Sequence, residues 1–393
     1  MLCIASRACS TVASSTSPST RLSPLHVRSF LLPALPAKLR ISITSMANRS
    51  SRAAAASGAR TALDEKDANT GAFVRRDSVW RSWVGEGKDF PAEDGRYHLY
   101  VAYACPWANR CLAVRAMKGL EDCIGVSVVH PTWQKTRPGK DEHSGWVFRD
   151  PSDPPCTSME GHGSFSCEGS IPDTVNGAAD VRALYEMAGD TEGKYTVPIL
   201  WDKKTKTIVS NESADIIIML NGAFNEFAKV PKLDLNPPEM VAAQAEVDKW
   251  IYPCINNGVY RCGFATSQGA YEEAMGDLFE GLDRAESILS QQRYIAGGKM
   301  TLADVRLFMT LVRFDEVYVV YFKTNTKMIR EYPNLYNYVK DMYQTTGMAG
   351  TVNMDHIKMH YFTSHPVLNH FSVVPLGRGD KWLQEPHDRA RAY

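Results

Sequence analysis

The chain has 393 residues, 44% of them hydrophobic and 22% charged, which is close to the average for soluble globular proteins and long enough for two ordinary domains. No run approaches the roughly 18 apolar residues that a membrane span requires, so a spanning class is not expected. The formal net charge is zero, but seven arginines and Lys38 precede the first acidic residue, Asp64; removing these eight from 44 leaves 36 basic against 44 acidic residues, a mildly acidic body with no electrostatic footprint for nucleic acid.

Residues 1–62 are rich in Ser, Ala, Thr and Arg and lack carboxylates. This is the composition of an organelle transit peptide, expected to be disordered and excluded from the fold. The abundance of Ser and Thr points to a chloroplast ahead of a mitochondrion, with a cytoplasmic protein expected if initiation is at Met46.

Residues 63–230 read as a mixed α/β domain. The aromatic and β-branched run 96–103 predicts a strand. Cys105-Pro106 follows, with the proline suited to a first helical position, and residues 107–118 carry apolar side chains at helical spacing closed by Gly119. Residues 124–129 predict a second strand, giving a βαβ unit with parallel strands. The segment 131–172 is dense in Gly, Pro, Ser and Asp and too long for an ordinary connection. A helix over 180–187, a strand over 195–201 and a short strand over 207–209 come next. A helix through Leu220 is then expected, capped by Ser210 or Asn211.

After a proline-rich linker near 231–238, residues 237–393 predict an all-helical domain with helices over 239–257, 271–290, 302–318 and 335–342. Thr301 and Asp304 predict a capping box for the third.

Nine cysteines without a Cys-x-x-Cys pair suggest neither a disulfide framework nor a zinc ribbon or dithiol pair, and no metal is expected. Cys105 stands out because strand, Cys-Pro and helix place it at a helix N-terminus. There, free backbone N–H groups and the helix dipole favour a thiolate nucleophile. The competing reading is an inert buried cysteine. Three residues on stands Ala108 rather than a second cysteine, so an external thiol would have to resolve any mixed disulfide. Cys111 reads as core, and Cys156 and Cys167 as surface or structural thiols.

The run Tyr100-Val-Ala-Tyr-Ala-Cys105-Pro-Trp-Ala-Asn-Arg110 resembles the signature of the Xi-class glutathione transferases, the glutathionyl-hydroquinone reductases. Further similar stretches are 126–131, 145–146, 196–204, 208–214, 250–260, 264–268, 304–307, 311–318 and 351–361, so the resemblance covers about residues 73–387. It implies the glutathione transferase fold: a thioredoxin-like domain, in which Val197-Pro198 would supply the characteristic cis-proline, followed by a helical domain. It also implies Cys105 as nucleophile, Tyr260 as proton exchanger toward the quinol, and Tyr318 and Tyr361 as tyrosines supporting the thiolate. Glutathione as co-substrate would be held by Trp146, by Lys194, Tyr195, Thr196 and Val197 along its backbone, and by Glu212 and Ser213 at its γ-glutamyl end. Arg313 would line the substrate pocket, and a homodimer is expected. Lys194 departs from an arginine in bacterial members, and the insert at 131–172 is of the longer plant and algal type. Two other readings stay open: an Omega-like thioltransferase or dehydroascorbate reductase, and a non-catalytic binding module on the same fold.

Overall fold

In the computed structural model, the described residues are Ala59, Thr61, 64–391 and Tyr393; the rest of the presequence reading lies outside them. The fully buried run Tyr97–Val101 (β1) leads directly to Cys105, and Pro106–Lys118 (α1) follows with Pro106 at its first position. Gly119 ends α1 in the left-handed conformation (φ 65°), returning its N–H to the carbonyls of Ala116 and Arg115. Gly125–Val128 (β2) then pairs parallel to β1.

Within the insert, Gln134–Lys135 (β3) and Ser144–Gly145 (β4) form a two-stranded ribbon, and isolated backbone pairs join Val128 to Ile171 and Cys156 to Phe165. Val181–Met187 (α2) is capped by the Asp180 carboxylate. Ile199–Asp202 (β5) begins later than the sequence suggests, because the Val197–Pro198 peptide bond is cis and residues 195–198 bend beside the sheet. Thr207–Ser210 (β6) completes a sheet of order β2-β1-β5-β6, with β5 antiparallel to both neighbours. This is the expected parallel pair plus ribbon. Ser213–Gly222 (α3) is capped by Glu212, not by Ser210 or Asn211: the Glu212 carboxylate accepts the Ala214 N–H at 2.9 Å.

The helical half departs from the expected regularity at two places. Val241–Trp250 (α4) passes through a π-helical turn, Ile251–Asn256, into Gly258–Phe264 (α5). Pro253 in that turn has no N–H, so the α-helical ladder cannot run through it. Gln268–Gln291 (α6) and Leu302–Arg313 (α7) follow, the latter with the expected Thr301–Asp304 capping box. A second π turn, Phe314–Tyr318, leads into Val319–Tyr321 (α8). Pro333–Gln344 (α9) extends the helix expected over 335–342. Met354–Thr363 (α10) is a helix that the sequence reading did not assign. α1 packs between α3 and α7, so the helix led by Cys105 is the joint between the two halves.

Candidate active site

Cys105 occupies the N-cap of α1 with extended backbone angles (φ −75°, ψ 115°), so its sulfur faces the first free N–H groups of the helix. The thiol donates to the Val197 carbonyl at 3.6 Å, which the cis bend at Pro198 brings alongside. In the ligand-free cavity, burial pushes the Cys105 thiol above its ordinary value. The N–H groups of Ala108 and Trp107 and the guanidiniums of Arg313 and Arg75 pull the other way. The lowered thiol expected from the helix terminus is therefore not the resting balance. The groups that favour a thiolate are in place, but the surrounding protein shields the half-buried sulfur from water. Cys111, one face away, is fully buried, as expected for core.

The start of α3 forms one end of the cavity. Arg110, almost fully buried, crosses from α1 and donates from Nε to the Ser213 hydroxyl oxygen at 3.0 Å; it lies 3.8 Å from a Glu212 carboxylate oxygen. Burial lowers its guanidinium to about 10, which leaves it charged at neutral pH. Because Arg110 fills an acceptor site of Ser213, the hydroxyl proton is free to point into the cavity. The carboxylate of Glu212 and the hydroxyl of Ser213 thus present an acceptor and a donor, the complement of an amino acid's ammonium and carboxylate.

Aromatic side chains form two further walls. Trp146 stacks on His360 (4.4 Å between centroids) and meets Trp133 edge-on at 5.6 Å; the buried Trp133 Nε1 has no acceptor among the described residues. On the other side, Tyr260 and Tyr361 share a 2.6 Å hydrogen bond between hydroxyls, and Tyr318 joins Tyr361 at 3.1 Å from behind. Burial raises all three phenols, Tyr260 and Tyr361 well above 10, so they remain protonated donors at neutral pH. The cavity, open to solvent on one side, has a volume of roughly 240 Å³.

The structure brings Cys105, Trp146, Lys194, Tyr195, Thr196, Val197, Glu212, Ser213, Tyr260 and Tyr361 onto this one cavity; Tyr318 lies behind its wall. Arg313 is a correction. It is fully buried away from the cavity, donating to the carbonyls of Ala104 (3.1 Å), Tyr103 (2.7 Å) and Met309 (2.6 Å) and to Asn109 Oδ1 (2.8 Å). It therefore fixes the backbone leading into Cys105. Lys194 also differs from expectation, since its ammonium is ion-paired with Glu65 and donates to the Arg76 carbonyl at 3.1 Å.

That contact shows what the sequence reading missed: residues ahead of β1 form a cavity wall, among them Glu65 and Arg75. The Arg75 guanidinium lies 5.0 Å from the Trp107 ring and 5.1 Å from the Tyr260 ring, held by a 3.0 Å bond to Asn257. This segment has no periodicity to mark it. Trp107 and Arg110 were visible in the Cys-Pro-Trp run, but as helix residues rather than site residues.

Residues 104–223 match the family described as glutathione S-transferase, N-terminal domain, and residues 268–341 its C-terminal domain. The chain is 44% identical over 329 residues to glutathionyl-hydroquinone reductase YqjG of Escherichia coli, covering 81% of this chain and 92% of that protein. It is 40% identical to glutathionyl-hydroquinone reductase PcpF of Sphingobium chlorophenolicum, covering 81% and 93%. The chain belongs to the Xi-class glutathione transferases, the glutathionyl-hydroquinone reductase family. Among solved Xi structures, that of Phanerochaete chrysosporium superposes with a TM-score of 0.72 at 44% identity, covering 80% of this chain and all of that one. The glutathione-bound structure of YqjG gives 0.71 at 44%, covering 79% and 96%. The thioredoxin-like half and the helical half described above are therefore the two domains of a Xi-class transferase.

Proposed function

We infer that this Xi-class enzyme reduces glutathionyl-hydroquinones to hydroquinones with glutathione as co-substrate. The observation that carries the reading is one helix-terminal thiol, with Ala108 where a resolving cysteine would stand, facing a cavity that joins an amino-acid-binding end to a tyrosine-lined aromatic end.

The Cys105 thiolate attacks the sulfur of the glutathionyl group while Glu212 and Ser213 hold its γ-glutamyl end. The bond between that sulfur and the aromatic carbon breaks, and the electron pair stays on the ring. Tyr260, hydrogen-bonded to Tyr361, supplies the proton that completes the hydroquinone. Cys105 is left in a mixed disulfide with glutathione. A second glutathione thiolate attacks the glutathione sulfur of that disulfide, releasing glutathione disulfide and the Cys105 thiolate. The ring carbon gains two electrons and a proton, and two glutathione sulfurs are oxidised to one disulfide.

Steady-state turnover of glutathionyl-menadiol by the wild-type protein and by Cys105→Ala, side by side, tests this. Turnover by the first alone supports the assignment. Reduction of dehydroascorbate or mixed disulfides without quinol release would instead make the protein an Omega-like thioltransferase, and inactivity on all would make it a binding module. The same reading includes a homodimer, supported by family membership, and chloroplast import, supported by the composition of residues 1–62. Sedimentation velocity and imaging of a fluorescent fusion test these in turn.

A further inference from the structure

Away from the active-site cavity, the insert at 131–172 folds back on the end of β2. The backbones of Cys156 and Phe165 exchange hydrogen bonds of 2.9 and 2.7 Å, which sets Cys167, two residues beyond, next to Cys156. His130, two residues past β2, reaches the same place. The ligand-capable atoms of His130, Cys156 and Cys167 all lie within 4.8 Å of one another, and all three residues are buried. The two thiols are not joined as a disulfide.

We propose that His130, Cys156 and Cys167 bind a zinc-class divalent ion that clamps the insert to the end of β2. With Zn–S near 2.3 Å and Zn–N near 2.0–2.1 Å, a tetrahedral site needs its ligand atoms about 3.6–3.8 Å apart. The cluster therefore has to tighten by about an ångström at most. One nitrogen and two sulfurs select a borderline-soft transition metal over magnesium or calcium, and the fourth corner is left to a water. Binding releases the two thiol protons, so two thiolates balance the dication and the buried site is neutral.

Two further observations fit. The buried Nε of Arg149, a residue within electrostatic reach of both cysteines, has no acceptor among the described residues, and thiolates would place negative charge within its reach. His130 also has the support that a ligating imidazole needs. Nδ1 lies 3.3 Å from the Thr132 carbonyl, so the tautomer that carries its proton there leaves Nε2 to the metal. In the metal-free tautomer Nδ1 accepts from the Thr132 N–H at 3.1 Å and Nε2 donates to the Ser166 carbonyl at 3.1 Å, so loading requires a proton shift within the ring and the loss of both of these bonds.

The clamp bears on the cavity. Pro131, next to His130, accepts a 2.9 Å bond from His360, the ring that Trp146 stacks on, and Glu168, next to Cys167, accepts a 2.7 Å bond from His356 of α10. The ion would fasten this wall from behind without touching the chemistry.

The test uses the full chain in a Cys105→Ser background, so that the active-site thiol does not bind the probe. Elemental analysis after gel filtration should find about one zinc per chain, and Co2+ loaded in its place should give a sulfur-to-cobalt charge-transfer band and strong tetrahedral d–d absorption. Cys156→Ser and Cys167→Ser should lose the metal. Cys167→His, which keeps a ligand but cannot form a disulfide, should retain it. Circular dichroism checks that each variant is folded. Absence of metal together with a featureless Co2+ spectrum in the reduced protein overturns the proposal. So does a mass two hydrogen atoms lighter that maps to a Cys156–Cys167 disulfide, which would make the pair a redox couple.

Discussion

At the residue scale, the site is organised around how charge reaches one sulfur. Arg75 is the cation that can be removed with least damage, because it stands at the cavity wall whereas Arg313 holds the backbone into Cys105. Arg75→Met should move the pH midpoint of Cys105 alkylation upward, since the guanidinium favours the thiolate; the iodoacetamide rate against pH reads it directly. Tyr260→Phe should lower turnover of a glutathionyl-hydroquinone by about 10² or more, the usual worth of a positioned proton donor. Reduction of a small glutathione mixed disulfide, which needs no proton on carbon, should change little. Equal losses on the two substrates would make Tyr260 a packing residue.

At the scale of elements, what could be read in advance was whatever repeats with a fixed period or sits at a fixed offset. The run from β1 through Cys-Pro to α1 and β2 was legible because aromatic and β-branched strand residues, a first-turn proline and a closing glycine all agree. The two π turns were not, because a 3.6-residue pattern continues smoothly across them. They nevertheless matter to the site: Tyr318 closes one of them, and Tyr260 opens the helix after the other. The cluster of His130 with Cys156 and Cys167 was equally hidden, since its spacing has no short-range signature and only the hairpin-like pairing at 156–165 closes it. The junction of α1 with α3 gives a test at this scale. Arg110→Met would leave Ser213 without its donor and Glu212 without its nearest cation. A hydrogen bond to a charged group contributes about 1.5–3 kcal/mol, so the KM for glutathione should rise by roughly tenfold to a hundredfold. kcat should fall much less, as steady-state kinetics at varied glutathione would show.

Across the whole molecule, stability should depend on pH through a buried ion pair in the thioredoxin-like half. Arg96 grips Asp202 with two bonds, 2.8 and 2.6 Å, and the Asp202 side chain is wholly buried. Burial alone would raise this carboxyl, but the Arg96 fork, the Thr205 hydroxyl and the Lys204 N–H outweigh it and hold it at about 2 against an ordinary 3.8. Between those values the unfolded chain binds more protons than the folded one. The contribution is therefore complete above pH 3.8 and lost as pH falls toward 2. It amounts to about 2 kcal/mol, and urea unfolding across that range should show the decline, with a shallower slope for Asp202→Asn.

The wall built by Glu65 and Arg75 stands close behind the segment proposed as a leader. If a leader is removed on import, the position of the cut decides whether the enzyme keeps that wall. A protease acting ahead of Glu65 delivers a finished active site. One acting beyond Arg76 leaves Cys105 in the chain but removes the partner of Lys194, the cation beside Trp107 and Tyr260, and the buried Phe73 ring that packs on Tyr260. On the proposed import, the N-terminal residue of the mature protein would be a kinetic parameter as much as an address label.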